Sequence, residues 1–199
     1  MSTQNNPSSG LDRRVAIPKL FGDHKDFLII AGLAGAAKDV GNLTQEAPNS
    51  FLFGGAMGGA VMTGLGLALA QPERRVVVVT GDGDLLMSLG ALATVGYLKP
   101  QNLVIVCVDN ELYGETGNQD THTQRGINLR VVADGCGIPV THEVRTESDI
   151  AEASRSLHRS NGPVFVLLKV NGGPPPPYRR NWHAHESKSV FRRALLGSR

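Results

Sequence analysis

Arg75-Val76-Val77-Val78-Val79-Thr80-Gly81-Asp82-Gly83-Asp84-Leu85-Leu86-Met87 is the stretch that decides the fold. The β-branched run ends in a tight glycine turn carrying one carboxylate, and Leu86, Leu89 and Leu92 then recur at helical spacing. That order predicts strand, loop and helix N-terminus in one α/β unit. Such a turn suits an anion, because the first amides of a helix lack internal partners and carry the positive end of its dipole. Asp82 would repel a phosphate placed there unless a divalent cation lay between them. Mg²⁺, which takes one or two protein oxygens together with phosphate oxygens, meets that requirement. Taken alone, a Gly-Asp-Gly turn is more often only a turn.

The next strand changes that reading. Leu103-Val104-Ile105-Val106-Cys107-Val108 is a second buried apolar run, and it ends in Asp109-Asn110-Glu111-Leu112-Tyr113-Gly114. Parallel strands bring their C-terminal ends to one sheet edge, where open α/β folds bind ligands. Asn110 can then add a second oxygen to an ion held by Asp82, and residues 84–109 suffice for one crossover helix and one strand. Further strands are expected at 27–31, 139–144 and 164–168, with helices at 55–70, 129–134 and 147–158. The expected fold is α/β: a single open, mostly parallel sheet with helices on both faces.

Composition limits the function classes. A chain of 199 residues with 41% hydrophobic content can bury one good core. Net charge is +2, without a basic block and with few aromatics, which gives no support to nucleic-acid binding. The glycine-crowded apolar segment 55–70 is shorter than the roughly 20 residues that span a bilayer, so no membrane segment is expected. Cys107 and Cys136 are too few for a disulfide framework and fit a reducing cytoplasm. Residues 1–20 are expected to be a flexible N-terminal segment, 21–171 the folded domain, and 172–199 a proline-rich linker (Pro174 to Pro177) with an amphipathic tail helix. His183 and His185 in the tail lack a third ligand nearby.

Gly81-Asp82-Gly83 followed at this interval by Asn110 resembles the thiamine diphosphate motif of the decarboxylase, synthase and ketolase superfamily, over about residues 27–168. The string Asp109-Asn110-Glu111-Leu112-Tyr113-Gly114-Glu115-Thr116-Gly117-Asn118-Gln119 is similar to the separate small subunit of sulfopyruvate decarboxylase and its phosphonopyruvate decarboxylase relatives. The resemblance implies thiamine diphosphate and Mg²⁺ as cofactors. Asp82, the Asn110 side-chain oxygen and the Leu112 carbonyl would hold the metal. Gly81, Asp82, Gly83, Asp84, Asn110, Tyr113, Gly114 and Glu115 would surround the diphosphate, with the amides of Gly83, Asp84 and Glu115 facing it. Asp84 stands where many relatives have a small hydroxyl residue; its side chain is expected to cap the helix. The Gly55 carbonyl and the Met57 amide would face the aminopyrimidine ring, and the Met57 side chain would wedge beneath it. Plain packing is the alternative for Met57 and its neighbouring glycines. Thr116 and His122 are candidates for contact with substrate, although a loop histidine is more commonly only solvated.

The resemblance also implies what is missing. Related enzymes are activated by a glutamate on a pyrimidine-binding domain, and Glu46, Glu111 and Glu115 stand in no recognisable version of that site. A separate α subunit is therefore expected to supply it, in an α2β2 or larger heteromer, and this chain alone is expected to be an inactive β subunit. The reaction implied is decarboxylation of a small 2-oxo acid by a carboxy-lyase. Three alternatives are the β subunit of a 2-oxoacid oxidoreductase, an acetohydroxyacid-synthase-like ligase, and a non-catalytic diphosphate-binding regulatory subunit. The first normally carries four cluster-binding cysteines, which two cannot supply. Asp82→Ala is expected to abolish Mg²⁺-dependent cofactor binding with the fold intact, on the premise that the carboxylate faces solvent or an ion.

Overall fold

A computed structural model describes residues 10–159 and 161–197. The strands are β1 (Phe27–Ala31), β2 (Ser50–Leu52), β3 (Arg75–Gly81), β4 (Leu103–Asp109), β5 (Leu112–Tyr113), β6 (Gln119–Asp120), β7 (Val140–Val144) and β8 (Val164–Lys169). The helices are α1 (Arg13–Phe21), α2 (Gly35–Thr44), α3 (Ala60–Ala70), α4 (Asp82–Met87), α5 (Gly90–Leu98), α6 (Leu129–Gly135), α7 (Glu147–Arg159) and α8 (Ala184–Leu196). Six strands form one parallel sheet in the order β2-β1-β3-β4-β8-β7, while β5 and β6 make a separate antiparallel hairpin.

The apolar runs are continuous because both sheet faces are covered. Val77, Val79, Val104, Val106 and Val166 pack with α1, α2 and α7 on one face. Val76, Val78, Ile105, Cys107 and Phe165 pack with α3, α5 and α6 on the other. Alternate residues of each strand thus feed two separate cores, which is the period of a β-strand. A Cβ on Gly64 would come within 2.1 Å of Val78, so this glycine lets α3 lie close on the sheet.

Three boundaries differ from expectation. The flexible segment drawn to residue 20 is too long: α1 buries Ala16, Ile17, Leu20 and Phe21, and the buried Arg13 side chain pairs with Asp39 of α2. Residues 1–9 lie outside the described residues. The helix expected over 55–70 begins only at Ala60, leaving 53–59 as a loop with Gly58 at a φ of +81°. The helix expected after Gly83 is divided into α4 and α5, because Ser88 leaves helical geometry at φ −130° and ψ 43°. The proline run is neither helix nor strand, as expected, but the tail beyond it folds back on the domain: Phe191 and Leu195 of α8 pack against the second core. No helix among the described residues is long and apolar enough to cross a membrane.

Candidate functional site

Pairing of β3 with β4 sets Gly81 opposite Val108, so Asp82 and Asp109 leave the sheet side by side at its C-terminal edge. Asp82 begins α4 and is only 2% exposed. The premise of a carboxylate facing solvent is therefore corrected. What covers it is the polar stretch after β4, folded back by the β5–β6 hairpin. Thr121 donates to Asp82 Oδ2 at 2.5 Å. The Thr123 hydroxyl stands between two carboxylates, 2.8 Å from Asp109 Oδ1 and 3.3 Å from Asp82 Oδ2, and its single proton serves one at a time. Lys169, opposite Asp109 at the end of β8, donates to Asp109 Oδ2 at 2.8 Å and to Glu111 Oε1 at 2.6 Å.

Burial, followed by the charge of Asp109, pushes the Asp82 carboxyl up to about 6. Burial works against the Lys169 charge, but its hydrogen bonds to Asp109 and Glu111 outweigh this and raise its pKa. The strand ends thus gather four carboxylates, Asp82, Asp84, Asp109 and Glu111, with Lys169 as the ammonium bonded among them.

The Asn110 turn is shaped by its own side chains. Glu111 N donates to Asp109 Oδ1 at 3.1 Å and Leu112 N to Asn110 Oδ1 at 3.3 Å, while Glu111 takes a φ of +64°. The Tyr113 ring lies over Gly83, where a Cβ would meet it at 2.4 Å, so any larger residue there would displace the hairpin from Asp82. Among the described residues no group of three or more His, Cys, Asp or Glu is arranged to hold a metal. The candidate donor set is of a different kind: one carboxylate, one side-chain amide oxygen and one backbone carbonyl. These are hard oxygen ligands, and the surplus of buried negative charge around them is what a divalent cation would neutralise, so the residues fit Mg²⁺.

Asp84 does not cap α4, whose first turn has no side-chain cap. Its Oδ2 accepts from Thr80 Oγ1 at 2.7 Å, and its Oδ1 reaches across to the 53–59 loop and accepts from Gly58 N at 2.6 Å. That contact brings Gly55 and Met57 to the same sheet edge as the turn. In the structure the Met57 amide donates to the Gly55 carbonyl at 3.0 Å, and the Met57 side chain is 38% exposed. Gly114, Glu115 and Thr116 form the exposed hairpin tip, where Thr116 Oγ1 donates to Gln119 Oε1 at 2.8 Å. His122 points outward and is exposed, while Thr121 and Thr123 on either side of it are buried against the acids.

Sequence reading missed Thr121, Thr123, Asp109, Lys169 and Thr80. Two signals were present: Thr-x-Thr alternation in an otherwise exposed stretch, and a lysine closing the apolar run of β8 level with the acid that closes β4.

Residues 34–168 match the family model described as thiamine pyrophosphate enzyme, C-terminal TPP binding domain. Sulfopyruvate decarboxylase subunit beta of Methanocaldococcus jannaschii is 41% identical over 143 residues, covering 72% of this chain and 75% of that one. Phosphonopyruvate decarboxylase of Streptomyces viridochromogenes is 36% identical over 75% of this chain but only 37% of its own length. Among solved structures, a thiamine diphosphate-dependent 4-hydroxybenzoylformate decarboxylase from Rhodococcus jostii RHA1 superposes with a TM-score of 0.69 at 19% identity, covering 87% of this chain and 35% of that one. The fold, the buried acid at the head of α4 and these likenesses together place the chain: it belongs to the thiamine pyrophosphate enzyme family, in the group of sulfopyruvate and phosphonopyruvate decarboxylase small-subunit relatives, as that family's TPP-binding domain.

Proposed function

We propose that this chain is the β subunit of a heteromeric, thiamine diphosphate- and Mg²⁺-dependent decarboxylase acting on a small 2-oxo acid with a sulfonate or phosphonate group. The observation that carries the reading is Asp82, buried at the start of α4 beside Asp109, with the Asn110 turn on the adjoining strand end. Asp82, Asn110 Oδ1 and the Leu112 carbonyl would hold the ion. The amides of Gly83, Asp84 and Glu115 would take the diphosphate, and Gly55 and Met57 the ring. When bound, thiamine diphosphate would supply a thiazolium ring whose C2 adds to a 2-oxo group and whose cationic nitrogen takes up the electron pair left as CO₂ departs. The chain's own contribution is to bind and orient that group. Thr121 and Thr123 hold the Asp82 oxygen in place, and Tyr113 over Gly83 closes the hairpin on the strand ends.

A partner is supported by three observations. The relatives of similar length are named as beta subunits, and this chain matches 37% of the length of a phosphonopyruvate decarboxylase. Met62, Leu69, Met87 and Tyr97, on α3 to α5, are large apolar side chains left exposed, as a surface covered by protein would be. The candidate glutamates are also engaged or remote: Glu46 accepts from Tyr178 and Asn181, Glu111 binds Lys169, and Glu115 sits on the exposed hairpin tip. The activating glutamate is accordingly assigned to an α subunit in an α2β2 or larger assembly. The two free thiols suit a cytoplasmic setting.

The test is to mix this chain with its pyrimidine-binding partner, thiamine diphosphate and Mg²⁺, and to supply 2-oxo acids bearing a sulfonate, a phosphonate or a methyl group. CO₂ and the matching aldehyde are expected from an anionic substrate and from neither chain alone. A ligated hydroxyketone as the main product would favour a synthase instead.

A further inference from the structure

Loop 53–59, between β2 and α3, carries the two backbone groups assigned above to the cofactor ring. Its sequence gives it little stiffness: Gly54 and Gly55 have no side chain, and a Cβ at either would meet nothing within 4 Å. It is held from outside at two points. On the inner side Asp84, itself fixed by Thr80, accepts from Gly58 N. On the outer side Arg180 of the C-terminal tail donates from Nη1 to the Phe53 carbonyl and from Nη2 to the Gly54 carbonyl, each at 2.6 Å. The guanidinium lies 3.7 Å from the centroid of the Trp182 ring, a cation–π contact that fixes its plane. Burial works against its charge, and the Glu115 and Glu46 carboxylates support it.

The tail reaches this position through further contacts. The Tyr178 ring packs against Gly41 of α2, and Glu46 Oε1 accepts from Tyr178 Oη at 3.2 Å and from Asn181 N at 2.7 Å. Phe191 of α8 meets Phe51 of β2 with ring centroids 6.1 Å apart.

We propose that Arg180 is a positioning residue for the cofactor ring: the docked tail sets its guanidinium against one end of the loop while Asp84 holds the other, fixing Gly55-Ala56-Met57 between them. The proposal rests on the cofactor reading above. A planar fork can bridge two successive carbonyls, which a single ammonium does less well. Ordering the loop before the ring arrives removes an entropy cost that binding would otherwise carry.

The experiment compares the full chain with its Arg180→Ala and Arg180→Lys variants, and with Arg179→Ala as a neighbouring exposed control. Calorimetry with Mg²⁺ is run with two probes, thiamine diphosphate and inorganic diphosphate, and hydrogen exchange is followed across residues 53–59 without ligand. In Arg180→Ala, thiamine diphosphate affinity is expected to fall roughly tenfold, with diphosphate affinity unchanged and loop exchange faster. Arg180→Lys is expected to lie between, and Arg179→Ala to match the parent. Equal losses for both probes, or no loss for either, would overturn the positioning role. A parent chain that binds diphosphate as tightly as thiamine diphosphate would also overturn it, while leaving the diphosphate site standing. A parent that binds neither probe, alone or with its pyrimidine-binding partner, would overturn the cofactor reading and this proposal together.

Discussion

At Asp82 the folded chain raises a carboxyl from its ordinary range to about 6, through burial and the charge of Asp109. Between those two values the folded protein holds a proton that the unfolded chain has released. The stability from this group is therefore full below about pH 4 and lost as pH rises through about 6. In the ion-free protein at pH 7.5, Asp82→Asn is expected to raise the urea midpoint, by an amount worth roughly 1–3 kcal/mol, while abolishing Mg²⁺-dependent cofactor binding. An unchanged or lower midpoint would show that the charge is already compensated without an ion. Met57→Ala is expected to lower turnover of the assembled enzyme while thiamine diphosphate affinity survives; loss of both, or of neither, would mark Met57 as packing. That Asp82 and Asn110 stand at adjoining strand ends was legible because strand, turn and interval are all local in sequence. The burial of Asp82 was not, because it depends on Thr121 and Thr123 returning through a hairpin.

The stretch that follows the β5–β6 hairpin turns an exposed acid into a buried one, and its Thr121 and Thr123 hydroxyls act at one remove from any ion. Thr123→Val is expected to weaken Mg²⁺ binding roughly 10- to 100-fold, the range usual for partners that orient a metal ligand, as measured by Mg²⁺ titration at saturating thiamine diphosphate. No change would mean that Asp82 is held well enough by Thr121 alone. On the sheet face covered by α1, α2 and α7, α1 is joined to α2 by the buried Arg13–Asp39 pair. Burial raises the Asp39 pKa and Arg13 opposes that shift, so removing the cation strands a buried charge. Arg13→Ala is expected to cost roughly 3–5 kcal/mol in urea denaturation with cofactor affinity unchanged. α1 itself escaped sequence reading: it carries Pro18 and mixes Arg13, Arg14 and Lys19 among its apolar residues, and only the packed structure shows which of them face inward.

Across the whole molecule, the parallel sheet was readable because each central strand is an unbroken apolar run and each face must be covered. Strand order was not stated in the chain's local pattern; it follows from which runs pair, and it puts β3 and β4 at the centre with the Asp82 and Asn110 turns on one edge. The tail also had to be seen folded, since a run of prolines reads as a linker while Tyr178, Arg180 and Phe191 lay it back on the domain. The same scale sets the deciding measurement: calorimetric titration of thiamine diphosphate into this chain with and without Mg²⁺, first alone and then with its pyrimidine-binding partner. Binding is expected to require Mg²⁺, to strengthen with the partner and to vanish in Asp82→Asn. Binding that is indifferent to Mg²⁺ and to Asp82, or no binding under either condition, would contradict the assignment of this sheet edge as the cofactor and metal site.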